Sequence, residues 1–126
     1  MRNKRSIALY CLVGLLSFVL VSCGKKADEN KPLGEVKAEA EKMDVSQLQS
    51  MAMQYKDAIA AKTSEVSKMT AKLKEIPVTE MLGSEAKGLQ ADIGRLTESL
   101  TSLMERFQVY YQKIKEKGGD VSGLDI

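Results

Sequence analysis

The sequence predicts an all-α protein, an antiparallel two-helix hairpin with coiled-coil-like packing, and three observations carry that prediction. Apolar residues recur at alternating steps of three and four along two long stretches, the spacing of one helix face. Pro77 separates the stretches with few residues to spare, so the chain has to turn back on itself there. The composition is rich in Ala, Lys, Glu, Leu, Met and Gln, which favour helix, while Trp is absent and aromatic residues make up only 5%. Long helices can be stabilised with so little aromatic bulk; a compact mixed core usually needs more.

The first helix has a clear start. Asp44 can cap it, Gln47 three residues later completes a capping box, and Met43 with Leu48 forms the hydrophobic staple across the cap. The apolar series is then Val45, Leu48, Ala52, Tyr55, Ile59, Lys62, Val66, Met69, Leu73 and Ile76, broken only by Lys62. Read as heptads, the a positions are Val45, Ala52, Ile59, Val66 and Leu73, and the d positions include Leu48, Tyr55 and Met69. Lys62, at a d position, is expected to lay its stem along the seam and lift its ammonium to water, the competing reading being that it sets register or oligomer state. Pro77 lacks an N–H and disfavours helical geometry at Ile76, so the helix stops there.

The second series has no break: Leu82, Ala86, Leu89, Ile93, Leu96, Leu100, Leu103, Phe107, Tyr110 and Ile114. Thr79 and Ser84 are the candidate caps at its start. Gly83, Gly88 and Gly94 fall off the seam, and each is expected to weaken the helix by about 1 kcal/mol relative to Ala. Lys113, Lys115 and Lys117 suit the negative end of the helix dipole, and Gly118-Gly119 ends the helix. Two registers fit the turn. One sets Tyr55 near Leu100 and Lys62 near Ile93; the other sets Tyr55 near Phe107 and Lys62 near Leu100.

The hairpin is expected over residues 44–119, with 120–126 as a loose tail. Before it, Gly24 to Gly34 is charged and broken by Pro32, and Glu35 to Lys42 favours helix without an apolar face to dock. Residues 23–43 therefore read as a flexible tether with a frayed helical turn or two.

The start of the chain is of another kind. Met1-Arg2-Asn3-Lys4-Arg5 is basic, Ile7 to Leu20 is largely apolar, and Leu20-Val21-Ser22-Cys23 follows. This arrangement resembles the signal peptide and lipobox of a bacterial lipoprotein precursor. The resemblance covers about the first 24 residues. It implies cleavage after residue 22 and acylation of Cys23, palmitate included, to give a lipid-anchored envelope protein. Gly24 at the next position resembles the class passed on to the outer membrane where the source has two membranes. The competing reading, an uncleaved transmembrane helix over 6–22, is at the short edge of what spans a bilayer.

Cleavage would change the chemistry left in the chain. Cys11 leaves with the signal peptide and Cys23 is taken up by lipid, so no thiol remains for a disulfide or a nucleophile. Arg2, Lys4 and Arg5 leave too, so the nineteen basic residues become sixteen against seventeen acidic ones, and the formal charge moves from +2 to −1. That balance gives no case for nucleic-acid binding. With no His in the chain, Ser/His and Cys/His catalysis are excluded. Carboxylate pairs such as Glu98 and Glu105 are what solvated helix faces carry, so no catalytic residue, metal site or cofactor is expected.

One feature exceeds what a simple hairpin needs. Met51, Met53, Ala58, Ala60 and Ala61 widen the apolar face of the first helix, and Met104, Val109 and Tyr111 widen that of the second. Adaptable Met-rich faces suit protein contacts. The competing expectation is that residues 35–43 fold over part of this face. The functional expectation is a membrane-anchored, non-catalytic interaction or structural protein, held to the membrane through Cys23. It would self-associate, to a four-helix bundle, or bind another envelope protein. The alternative is a helical module that opens its seam to a lipid or other apolar ligand; an enzyme without recognisable motifs is a weaker third. The layout also resembles short helical envelope lipoproteins. The chain ends in Gly-Leu-Asp-Ile, however, without the C-terminal Lys of the kind linked to murein.

Overall fold

A computed structural model describes residues 26–126, and the expected signal peptide and Cys23 lie outside the described residues. Its elements are α1 (Leu33–Lys42), α2 (Val45–Glu75), a 3-10 turn (Val78–Glu80) and α3 (Ser84–Glu116). The protein is all-α among these residues: α2 and α3 pair as the antiparallel hairpin, and α1 lies against α3.

The expected start of α2 is present. Asp44 Oδ1 accepts the Gln47 N–H at 2.8 Å, and Gln47 Oε1 accepts the Asp44 N–H at 3.1 Å. Met43 and Leu48 are both buried, as the staple requires. Ile76 ends the helix in extended geometry before Pro77. The start of α3 differs from expectation. Neither Thr79 nor Ser84 caps it; Thr79 is taken into the 3-10 turn, and Gly83 occupies the cap position. The Gly83 N–H donates to Glu80 O at 2.9 Å, an approach so close that a Cβ on Gly83 would stand 3.0 Å from that oxygen. Leu82 precedes the helix and is 84% exposed, so it is not part of the seam.

The end of α3 is fixed by two glycines. Gly118 adopts φ 70°, and Gly119 N–H donates to Ile114 O at 2.8 Å while Gly118 N–H donates to Lys115 O at 3.0 Å. This is the Schellman arrangement, which satisfies the last carbonyls of the helix. Gly119 meets a second constraint from tertiary packing. A Cβ there would stand 2.6 Å from Val45 Cγ1 and 2.7 Å from Ile114 Cγ2. Gly88 and Gly94 have open space around them. Replacing either by Ala is expected to raise stability by about 1 kcal/mol, whereas Gly119→Ala is expected to lower it; urea unfolding followed by circular dichroism compares the three.

The register is nearer the second of the two expected, with Tyr55 meeting Tyr110 rather than Phe107. Tyr55 stacks on Tyr110 with ring centroids 5.5 Å apart. Tyr110 lies one turn beyond Phe107, but about 15 Å along the helix from Leu100. The hairpin has two unlike halves. Towards the base, the end away from Pro77, Leu48, Ala52, Tyr55, Ile59, Leu103, Phe107, Tyr110 and Ile114 are buried. Towards the tip at Pro77 the seam residues, among them Lys62, Val66, Leu73, Leu96 and Leu100, are only half-buried, although Ala86 is fully so.

The base is better covered because chain expected to be loose is packed onto it. Leu33, Val36, Ala40 and Met43 continue the three-four-three spacing, so α1 does have an apolar stripe; Val36 and Ala40 are fully buried. The tail is also ordered. Leu124 is 3% exposed, Gln49 Nε2 donates to Asp120 O at 2.8 Å, and Lys56 Nζ donates to Gly123 O at 2.6 Å. The described part of the tether and the tail are both components of the core rather than appendages to it.

Candidate functional site

The six residues expected to form an interaction surface do not share one environment. Met51 is 6% exposed and belongs to the core. Ala58, Val109 and Tyr111 are partly buried against the same core. Tyr111 has its ring beside Phe107, centroids 5.8 Å apart, with Lys115 Nζ 5.7 Å from its own centroid. Met53 and Met104 alone of the six count as exposed, at 43% and 42%. The wide apolar face is therefore covered in part, and Met53, Ala60, Ala61 and Met104 remain exposed.

The structure brings together a site that the sequence did not reveal. Residues 27–31 form a strap across the hairpin. Ala27 packs against the core, and the Tyr55 hydroxyl both accepts from the Asp28 N–H and donates to Asp28 O, each at 3.1 Å. Asp28 Oδ1 accepts the Asn30 N–H at 2.8 Å, which turns the strap, and the Ser99 hydroxyl donates to Glu29. Arg106 holds the far end. Its Nε and Nη2 donate to Lys31 O at 3.0 and 2.6 Å, and its Nη1 donates to Ser102 O at 2.8 Å.

Arg106 is only 8% exposed. A buried guanidinium requires several hydrogen-bond acceptors, and here two backbone carbonyls accept three of its N–H groups. Lys31 also pairs with Glu39 of α1 at 2.5 Å, which ties the strap to the helix that follows it. The sequence signal for the strap was faint. Arg106 falls at a flanking heptad position where a charge is ordinary, and Asp28-Glu29-Asn30 looks like solvated linker.

A second ionic clasp joins α1 to α3. Lys113 bonds Glu41 of α1 and, at 2.7 Å, Glu116 one turn along α3. Glu116 and then Glu41 hold the Lys113 ammonium above its ordinary range, and Lys113 holds the Glu41 carboxyl below its own. Lys117 reaches back to donate to Met43 O at 2.5 Å. Within the core, burial foremost and then Tyr55 and Glu39 push the Tyr110 phenol up to about 12. Tyr110 therefore stays protonated at neutral pH and serves packing.

Grooves lie outside the seam. An open one of about 580 Å³ runs between α1 and α3, lined by Leu33, Lys37, Glu105, Val109 and Gln112 among others. Another lies on α2 beside Ile59, Ala60 and Thr63, with Ile126 at its edge. Among the described residues, no group of three or more His, Cys, Asp or Glu is placed to hold a metal ion. No described helix is long and apolar enough to cross a membrane. No protein-family model, curated protein or solved structure matches this chain.

Proposed function

We propose that this chain is a bacterial lipoprotein, anchored to the cell envelope through lipid on Cys23, whose helical hairpin acts by association rather than catalysis. The observation that carries the reading is the juxtaposition of two parts. Leu20-Val21-Ser22-Cys23 supplies the anchor site, and within a few residues of it the chain joins a fully helical body. The filled seam favours association over uptake of an apolar ligand. Tyr55, Phe107 and Tyr110 occupy the space between the base halves of α2 and α3, where an acyl chain would have to lie.

Surfaces for association remain, although not where the Met-rich face first suggested. Val78 and Leu82 are 89% and 84% exposed at the tip, and the tip half of the seam is half-covered. A second copy or another envelope protein could dock there. Crosslinking in native envelopes, with identification of what is captured, tests the association.

Anchoring has its own test. Cys23→Ser is expected to abolish labelling by radioactive palmitate and to leave the precursor uncleaved. Two or more acyl chains at about 0.8 kcal/mol per buried CH₂ hold firmly to a membrane, whereas the uncleaved Ser variant would keep only its apolar 7–20 segment. Processing and retention of the Ser variant like the parent would remove the lipoprotein reading.

A further inference from the structure

Resting on the lipoprotein reading, we infer that the anchored hairpin reclines along the bilayer surface instead of projecting from it as a spike. The argument is one of reach. Only Gly24, Lys25 and Lys26 separate Cys23 from Ala27, and Ala27 is already packed on the folded body. Four Cα-to-Cα steps at about 3.4 Å each allow at most about 14 Å between the lipid-bearing residue and that point.

The point of attachment is near the middle of the rod. α2 has 31 residues and is about 46 Å long at 1.5 Å per residue. The strap is pinned to Tyr55, which lies about 15 Å from the base end of α2. It is also pinned to Ser99, which lies about 22 Å from the tip end of α3. Ala27 therefore enters roughly 15 to 25 Å from the base and 20 to 30 Å from the tip.

A hairpin standing on its base would lift Ala27 by roughly 15 to 25 Å, beyond the reach of a tether of about 14 Å. Standing on its tip demands still more. At the middle of that range, about 20 Å from the base, a limit of about 14 Å above the headgroups holds the rod to a tilt of at most roughly 45° from the membrane plane.

The same contacts decide which flank faces the lipid. Ser99 and Arg106, which bond the strap, occupy one flanking heptad position. Gln49 and Lys56, which bond the tail, occupy the flanking position on the other side of the seam. The strap flank lies toward the bilayer, and the tail flank, with Ala60 and Thr63, faces away.

The test uses the acylated chain reconstituted in phosphatidylethanolamine–phosphatidylglycerol vesicles. Ser46→Cys at the base and Leu82→Cys at the tip each introduce the one free thiol of the mature protein, at exposed positions. Energy transfer from a dye at each to headgroup acceptors gives the two heights. The expected result is transfer from both, with a height difference below about 30 Å, and a rise in both heights when about fifteen Gly/Ser residues are inserted between Gly24 and Lys25. A difference near the full rod length of about 46 Å would overturn the inference, as would heights indifferent to the insertion. Mass spectrometry of Cys23 separates the two failures. A chain without acyl groups removes the lipoprotein reading itself, whereas an acylated chain that stands upright removes only the reclining geometry.

Discussion

Tyr55→Ala is expected to destabilise the fold by about 3–5 kcal/mol, the range for truncating a buried aromatic residue. Tyr55 is 1% exposed, stacks on Tyr110, and sits where α2, α3 and the strap meet. Truncation removes the ring from between the helices and leaves the Asp28 backbone groups without their partner. Tyr55→Phe separates these effects. It keeps the ring and deletes only the hydroxyl, so the expected loss is about 1 kcal/mol. Its local consequence should be larger than its global one. With Asp28 released, residues 26–31 should become open to protease and amide exchange before the hairpin does. Urea unfolding measures the first effect, and limited proteolysis with mass detection measures the second. Equal stabilities for the Ala and Phe variants would show that the ring does not hold the base together.

The repeating spacing made much of this fold legible. Twenty seam positions were readable from steps of three and four, and of these Leu82 alone lies exposed, because the 3-10 turn and Gly83 delay the start of α3 to Ser84. The Asp44–Gln47 box was legible because it is local: its two bonds span three residues and need no tertiary information. The cover on the base was not. Val36 and Ala40 form a stripe too weak to distinguish from solvated helix. Their burial depends on a facing surface on α3 that only the hairpin creates.

The same reason hid the strap. Arg106 acts through carbonyls 75 and four residues away, and no spacing rule links it to Lys31. Met51 and Tyr111 read in the sequence as surplus apolar surface, and no spacing rule tells whether a partner or the chain's own core takes them up. Cys23 stands differently, since its reading rests on the residues around it alone.

The unlike halves of the hairpin lead to the second large effect. Ile114→Asp is expected to cost more than 4 kcal/mol and to unfold the base outright, because Ile114 is 0% exposed and is packed in the same core as Tyr110 and Val36. A carboxylate there is cut off from water. Gly119 packs directly on the Ile114 side chain, so the disruption reaches the Schellman turn and Val45 as well. Leu96→Asp places the same charge on the same seam, about 27 Å nearer the tip. Leu96 is half-buried, so a carboxylate there keeps some contact with water and the expected cost is nearer 1–2 kcal/mol. Single-turn repetition alone would make the two substitutions equivalent, since both residues belong to one unbroken series. The difference between them measures what α1, the strap and the tail contribute. Amide exchange in the parent should show it without mutation: protection near the global stability around Phe107 and Tyr110, and faster opening from Val66 through Leu89. Equal costs for the two Asp variants, with uniform protection along both arms, would mean that the hairpin is stabilised evenly and that its covered base holds no special share.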